Sequence, residues 1–132
     1  MNLEILKIAS NTDNHKILKN HTHNSKLKNP ICGDEMQISV KIVKNIFVDF
    51  GYQCKSCIYC QASASLLSRN TINKTVLHIK KFLKATETFF DKDEAIFSKE
   101  WSVFNKIFNK KNIARKECLL LPFKTLTKAL KS

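Results

Sequence analysis

Residues 36–56 read MQISVKIVKNIFVDFGYQCKS, and this stretch decides the fold. Met36, Ile38, Val40 and Ile42 alternate with Gln37, Ser39 and Lys41, the period that turns one face of a strand to a core and the other to water. Lys44-Asn45 interrupts the pattern as a tight hairpin. Ile46 to Phe50 is again rich in β-formers, and Gly51 to Ser56 is predicted to continue as a third short strand leading to Cys57. A three-stranded antiparallel sheet is the expectation.

Working outward, residues 57–70 (CIYCQASASLLSRN) combine small residues with helix formers. They predict a helix over about Gln61–Arg69 whose Ala and Ser face lets other backbone approach closely. Cys57 then sits at a helix N-terminus, where exposed amides and the positive end of the dipole favour a thiolate. Asn73 is predicted to cap a second helix with Val76, Ile79 and Leu83 along one face. Phe97, Trp101, Phe104 and Phe108 mark a further helix, their stripe read as core packing rather than pocket lining. Pro122 suits the first turn of a last helix in which Phe123, Leu126 and Leu130 face inward, with Cys118 just ahead of it. Upstream, Leu3 to Ile8 shows a short apolar helix-like pattern. The polar stretch from Ser10 to Asn29, with His15, His21 and His23, reads as a mobile loop or partly ordered arm. The expected class is α+β: a three-stranded antiparallel sheet with helices packed around it. Within this single domain, residues 1–28 are a helix and polar arm, and residues 29–132 the main unit.

A chain of 132 residues, 43% hydrophobic and 26% charged, is large enough for one apolar core. The net charge of +12 raises the question of a nucleic-acid partner. Lysines are nevertheless spread from Lys7 to Lys131 among many Asn and Ile residues, without a nucleic-acid motif, so a generally basic surface is the simpler reading. Such a surface can guide docking onto an acidic protein. No apolar run approaches the ~20 residues that span a bilayer. The opening MNLEILKIASN lacks the regions of a signal peptide, and the five cysteines are an odd number. A cytoplasmic setting with free thiols is expected, without membrane or nucleic-acid partners.

Several cysteines are placed to do chemistry. Cys32-Gly33-Asp34 precedes the first predicted strand, and Gly33 permits a turn that brings thiolate and carboxylate to one side. With Cys57 and Cys118 they make a set of three sulfurs and one oxygen suited to zinc or an iron–sulfur cluster, although the spacing alone is a weak signal. Cys54, Cys57 and Cys60 form a denser CxxCxxC run like that of ferredoxins. The run lacks the usual further cysteine followed by proline and crosses a strand-to-helix junction. Cys54 and Cys60 are therefore read as small buried residues, with an auxiliary thiol role left open. Arg115 is a candidate to pair with a carboxylate or stabilise a thiolate, or is a plain surface residue. His21 and His23 suit zinc or iron by type but lie in polar sequence that favours solvation, and His78 lies among lysines in a predicted helix.

Three segments together resemble a known family. NPICGDEMQISVKI (29–42) resembles the NPxCGDxxxLxxxV signature of the U-type iron–sulfur scaffold proteins, the group of IscU, SufU and the N-terminal domain of NifU. CIYCQASASLL (57–67) is similar to the family's second motif, and ARKECLLLPFKTLTKAL (114–130) to its third, RxxC followed by LPW-like residues. The resemblance implies ligands at Cys32, Asp34, Cys57 and Cys118, and a mixed fold with a three-stranded sheet. It also implies two kinds of partner: a pyridoxal-phosphate cysteine desulfurase, and apo iron–sulfur proteins or cluster carriers. The SufU-like branch is the closer match. The interval from Cys57 to Cys118 is longer than in the IscU branch, Glu117 stands where that branch has histidine, and the LPPVK motif is missing. Cys54 and Ser56 stand where the family usually has glycines, and the family pattern leaves Cys60 unexplained.

The expected function is a non-enzymatic cluster scaffold carrying a transient [2Fe-2S] cluster to apoproteins. The alternative is a zinc-dependent sulfurtransferase with Cys32 as persulfide acceptor. A second alternative is a basic nucleic-acid-binding domain with a structural metal.

Overall fold

The alternation of residues 36–43 becomes strand β2 (Glu35–Val43), and the β-formers that follow become β3 (Ile46–Lys55). A computed structural model describes residues 3–30, 33–87, 89 and 98–131, the side chain of Lys110 excepted. Lys44 and Asn45 join the two strands with φ of 52° and 64°. Two consecutive left-handed residues make the turn whose twist matches that of a β-hairpin. The register shifts between Lys41 and Ile42, and Met36 pairs with Cys54 at the far end.

The third strand is not where the sequence predicts it. Gly51 does not break β3, which runs through it as a single strand. A Cβ at Gly51 would lie 2.5 Å from the Lys16 carbonyl oxygen and 3.2 Å from Leu18 Cγ, so the glycine is there to admit the chain that crosses it. The remaining strand, β1 (His23–Lys28), comes from the polar stretch expected to be a loop, and it pairs antiparallel with β2. Its sequence HNSKLK turns Ser25 and Leu27 partly inward and leaves charged residues on an edge. Backbone pairing, with little apolar burial, holds such a strand. The strand order is β1-β2-β3.

Helices cover one face of the sheet. Beyond α1 (Leu3–Ala9), helix α2 spans Ile58–Thr71 and α3 spans Val76–Glu87; α4 (Lys116–Leu130) closes the chain. Helix α4 crosses β1 and β2, while α2 packs on β3, α1 and α4. Met36, Ile38, Val40, Phe50 and Tyr52 point from the sheet into this layer and are all at most 2% exposed. The small face of α2 makes the expected close approaches. Ser63 Oγ donates to the Leu119 carbonyl (2.6 Å), Ser65 Oγ to the Asn11 carbonyl (2.9 Å), and Ser68 Oγ accepts from Asn14 Nδ2 (3.0 Å).

Several boundaries differ from expectation. Helix α2 begins one turn earlier than predicted, with Cys57 as its N-cap. Asn73 does not cap α3: it holds a left-handed turn (φ 70°) and donates its amide to the Phe47 carbonyl, while Thr75 Oγ1 accepts the His78 amide as the cap does. The aromatic stripe is core, as expected, but its backbone forms two 3-10 segments, Lys99–Lys106 and Lys110–Arg115. Trp101, Phe104 and Ile107 recur every three residues, which matches a 3-10 turn better than an α-helix. Phe82 stacks on Trp101 with centroids 4.0 Å apart and also meets Phe104. Phe97 lies outside the described residues. Helix α4 starts before Pro122, which is therefore interior, and Cys118 lies in its first turn rather than ahead of it. Pro122 has no N–H to donate to the Cys118 carbonyl.

Gly51→Ala is expected to lower stability by about 1–3 kcal/mol, because the new methyl group meets a main-chain oxygen that cannot swing aside. Urea denaturation reads this directly; an unchanged midpoint would mean that the Lys16–Leu18 segment does not pack on β3.

Candidate metal centre

Three chain segments distant in sequence end at one point. The connection between β1 and β2 is tight: Asn29 donates its amide to the Asp34 carbonyl (2.7 Å), and the Gly33 amide bonds the Asn29 carbonyl (2.8 Å). Gly33 has φ of 78°, a conformation that favours glycine. This loop delivers Asp34 to the end of β2. Cys32, in the same loop, lies outside the described residues.

Cys57 follows β3 and takes the N-cap position of α2 with extended backbone (φ −71°, ψ 167°), and its side chain makes no capping bond. The sulfur is left for other partners. Cys118 enters from the first turn of α4, 6% exposed. One carboxylate oxygen of Asp34 and the sulfurs of Cys57 and Cys118 all lie within 4.8 Å of one another. Two thiolates on one tetrahedral zinc lie about 3.8 Å apart, as bonds of ~2.3 Å require, so small movements bring these donors onto one ion.

The electrostatics call for a cation. Burial pushes the Cys118 thiol well above its ordinary range, and the Cys57 thiol and Asp34 carboxylate beside it push the same way. Asp34 Oδ2 is buried without a hydrogen-bond partner. A buried carboxylate oxygen left unpaired is costly, and a metal ion among these donors would satisfy it and let the Cys118 thiol give up its proton. The donor set, two soft sulfurs and one hard oxygen, fits zinc or iron.

The other cysteines of the CxxCxxC run go elsewhere. Cys60 is fully buried in the first turn of α2, and burial holds its thiol strongly protonated. Cys54 is half-buried on β3, with Sγ 4.0 Å from His15 Nε2, a neighbour the sequence reading did not connect with it. Burial, first, and then the nearby Asp34 and Cys57 raise the Cys54 thiol. Arg115 lies 5.5 Å over the Tyr59 ring, bridging the starts of α4 and α2, and Tyr59 was not singled out by the sequence. His21 is exposed, His23 contacts Thr22 Oγ1 at 2.8 Å, and His78 reaches Glu100 at 2.7 Å. Among the described residues none of these three histidines joins the Asp34 group.

Comparison with known proteins places the chain in a family. The model of the NifU-like N-terminal domain matches residues 2–91. The iron–sulfur cluster assembly scaffold protein IscU of Thermotoga maritima is 31% identical over 104 residues, covering 79% of this chain and 73% of that protein. A NifU-like N-terminal structure from Brucella abortus superposes with a TM-score of 0.88 at 21% identity, covering 98% of this chain and 91% of its own. A putative scaffold protein for the SUF system from Fervidobacterium islandicum gives a TM-score of 0.86 at 26% identity, with 98% and 96% covered. The chain therefore belongs to the NifU-like N-terminal domain family, the U-type group that includes IscU-like and SufU-like proteins.

Proposed function

We propose that this protein is an iron–sulfur cluster assembly scaffold whose cargo, iron and sulfide, is held by Cys57, Cys118 and Asp34, with Cys32 as the fourth ligand. The observation that carries the reading is the convergence of two sulfurs and an Asp34 carboxylate oxygen at one point, beside the buried and unpartnered Asp34 Oδ2. The names of the Thermotoga and Fervidobacterium relatives support it. Sulfur would come from a cysteine desulfurase, and finished clusters would pass to apo iron–sulfur proteins.

The chain's own residues divide the work. Cys57 and Cys118 supply thiolates from two helix starts, positions fixed by the packing of α2 on α4. Asp34 supplies a hard oxygen, which binds iron less firmly than thiolate in a sulfur-rich set and so leaves one side of the cargo easier to detach. Burial of Asp34 and Cys118 limits water at that side. The same donors suit zinc, and a zinc-loaded protein accepting persulfide sulfur at Cys32 is the second reading.

Metal and acid-labile sulfide content after anaerobic purification separates the two. Iron with matching sulfide is expected in the intact protein and should be lost in Cys57→Ser and Cys118→Ser, whereas Cys60→Ser keeps it. One zinc per chain without sulfide would replace the scaffold reading with sulfur relay. Asp34→Ala is expected to slow both cluster decay and delivery to an apoprotein, followed by the visible absorption of the cluster; unaltered kinetics would remove Asp34 from the ligand set.

A further inference from the structure

Beside the Asp34, Cys57, Cys118 set stands a second pair of metal-ligating side chains. His15 Nε2 lies 4.0 Å from Cys54 Sγ. The imidazole is held in place by its surroundings. The Tyr52 amide donates to the Asn14 carbonyl (3.0 Å), Asn14 Nδ2 donates to Ser68 Oγ on α2 (3.0 Å), and the His15 ring stands edge-on to the Tyr52 ring at 5.2 Å. Both side chains border a solvent-open cavity that Glu35 lines together with Lys26 and Lys55, so one carboxylate and two ammonium groups surround the pair. Cys54 pairs across the sheet with Met36, two residues from Asp34, and lies three residues from Cys57 along the chain.

Thiolate and imidazole are the donors shared by zinc, iron and related borderline-soft cations. Bonds of about 2.3 Å to sulfur and 2.0–2.1 Å to nitrogen place two tetrahedral donors about 3.6 Å apart, so the observed separation closes with a shift of a few tenths of an ångström. We infer that His15 and Cys54 form a second, open metal site for a divalent borderline-soft cation, completed by water or an exogenous ligand and adjacent to the buried set. As a station where an incoming ion waits before the buried set takes it, the pair rests on the scaffold reading. As a binding site it does not.

Cadmium titration of the reduced protein, followed by thiolate-to-metal charge-transfer absorption, tests this. The intact chain is expected to saturate at two Cd²⁺ ions, Cys54→Ser and His15→Ala at one, and Cys60→Ser at two. In a chain with Cys32, Cys57 and Cys118 all changed to Ser, one ion and its band should remain and vanish on adding Cys54→Ser; circular dichroism checks that each variant is folded. A second ion that survives Cys54→Ser, or an intact chain that takes one ion with Cys54→Ser unchanged, would overturn the site. A single ion lost in Cys54→Ser but kept in Cys57→Ser would preserve it and overturn the reading of the buried set instead.

Discussion

The close packing of α2 on α4 is the constraint on which the remainder depends. Ser63 Oγ bonds the Leu119 carbonyl at 2.6 Å, with Ala62 and Ala64 fully buried beside it. Cys57 stands one residue ahead of α2 and Cys118 one residue before the bonded carbonyl, so the helix contact also sets the distance between the two sulfurs. Bringing two thiolates and a carboxylate together is unfavourable until a cation arrives. The apolar layer built by Met36, Ile38, Phe50, Leu67 and Leu126 supplies the stability against which that unfavourable assembly is held.

What could be read from the sequence follows from how local each signal is. The alternation in β2 and the Lys44-Asn45 turn are local, and they survive in the structure. Strand β1 leaves no such signal because HNSKLK carries little periodic burial; its pairing partner, not its own side chains, makes it a strand. Gly51 reads locally as the start of a separate strand because its reason, the carbonyl of Lys16 crossing it, lies far away in sequence. Pro122 suggests a helix start because proline favours that place, yet burial of the surrounding Leu119–Phe123 run carries the helix through it.

The grouping of Asp34, Cys57 and Cys118 is only weakly signalled by spacing, since their separations match no local motif. Three short resemblances in family order pointed to it. Cys54 and His15 show the reverse case. One occupies a position where the family usually has glycine, the other a polar stretch without pattern, and only the chain path along the edge of β3 brings them together.

Pro122 has a consequence for the turn that carries Cys118. The carbonyl of Cys118 is deprived of the amide that would tie it to the next turn, so the turn bearing this sulfur is joined to the rest of α4 by one rung fewer. Beyond that missing rung, the Ser63 clamp holds Leu119 onwards in place. Local opening of this first turn can therefore stop at the clamp, while the hydrophobic layer beneath stays closed.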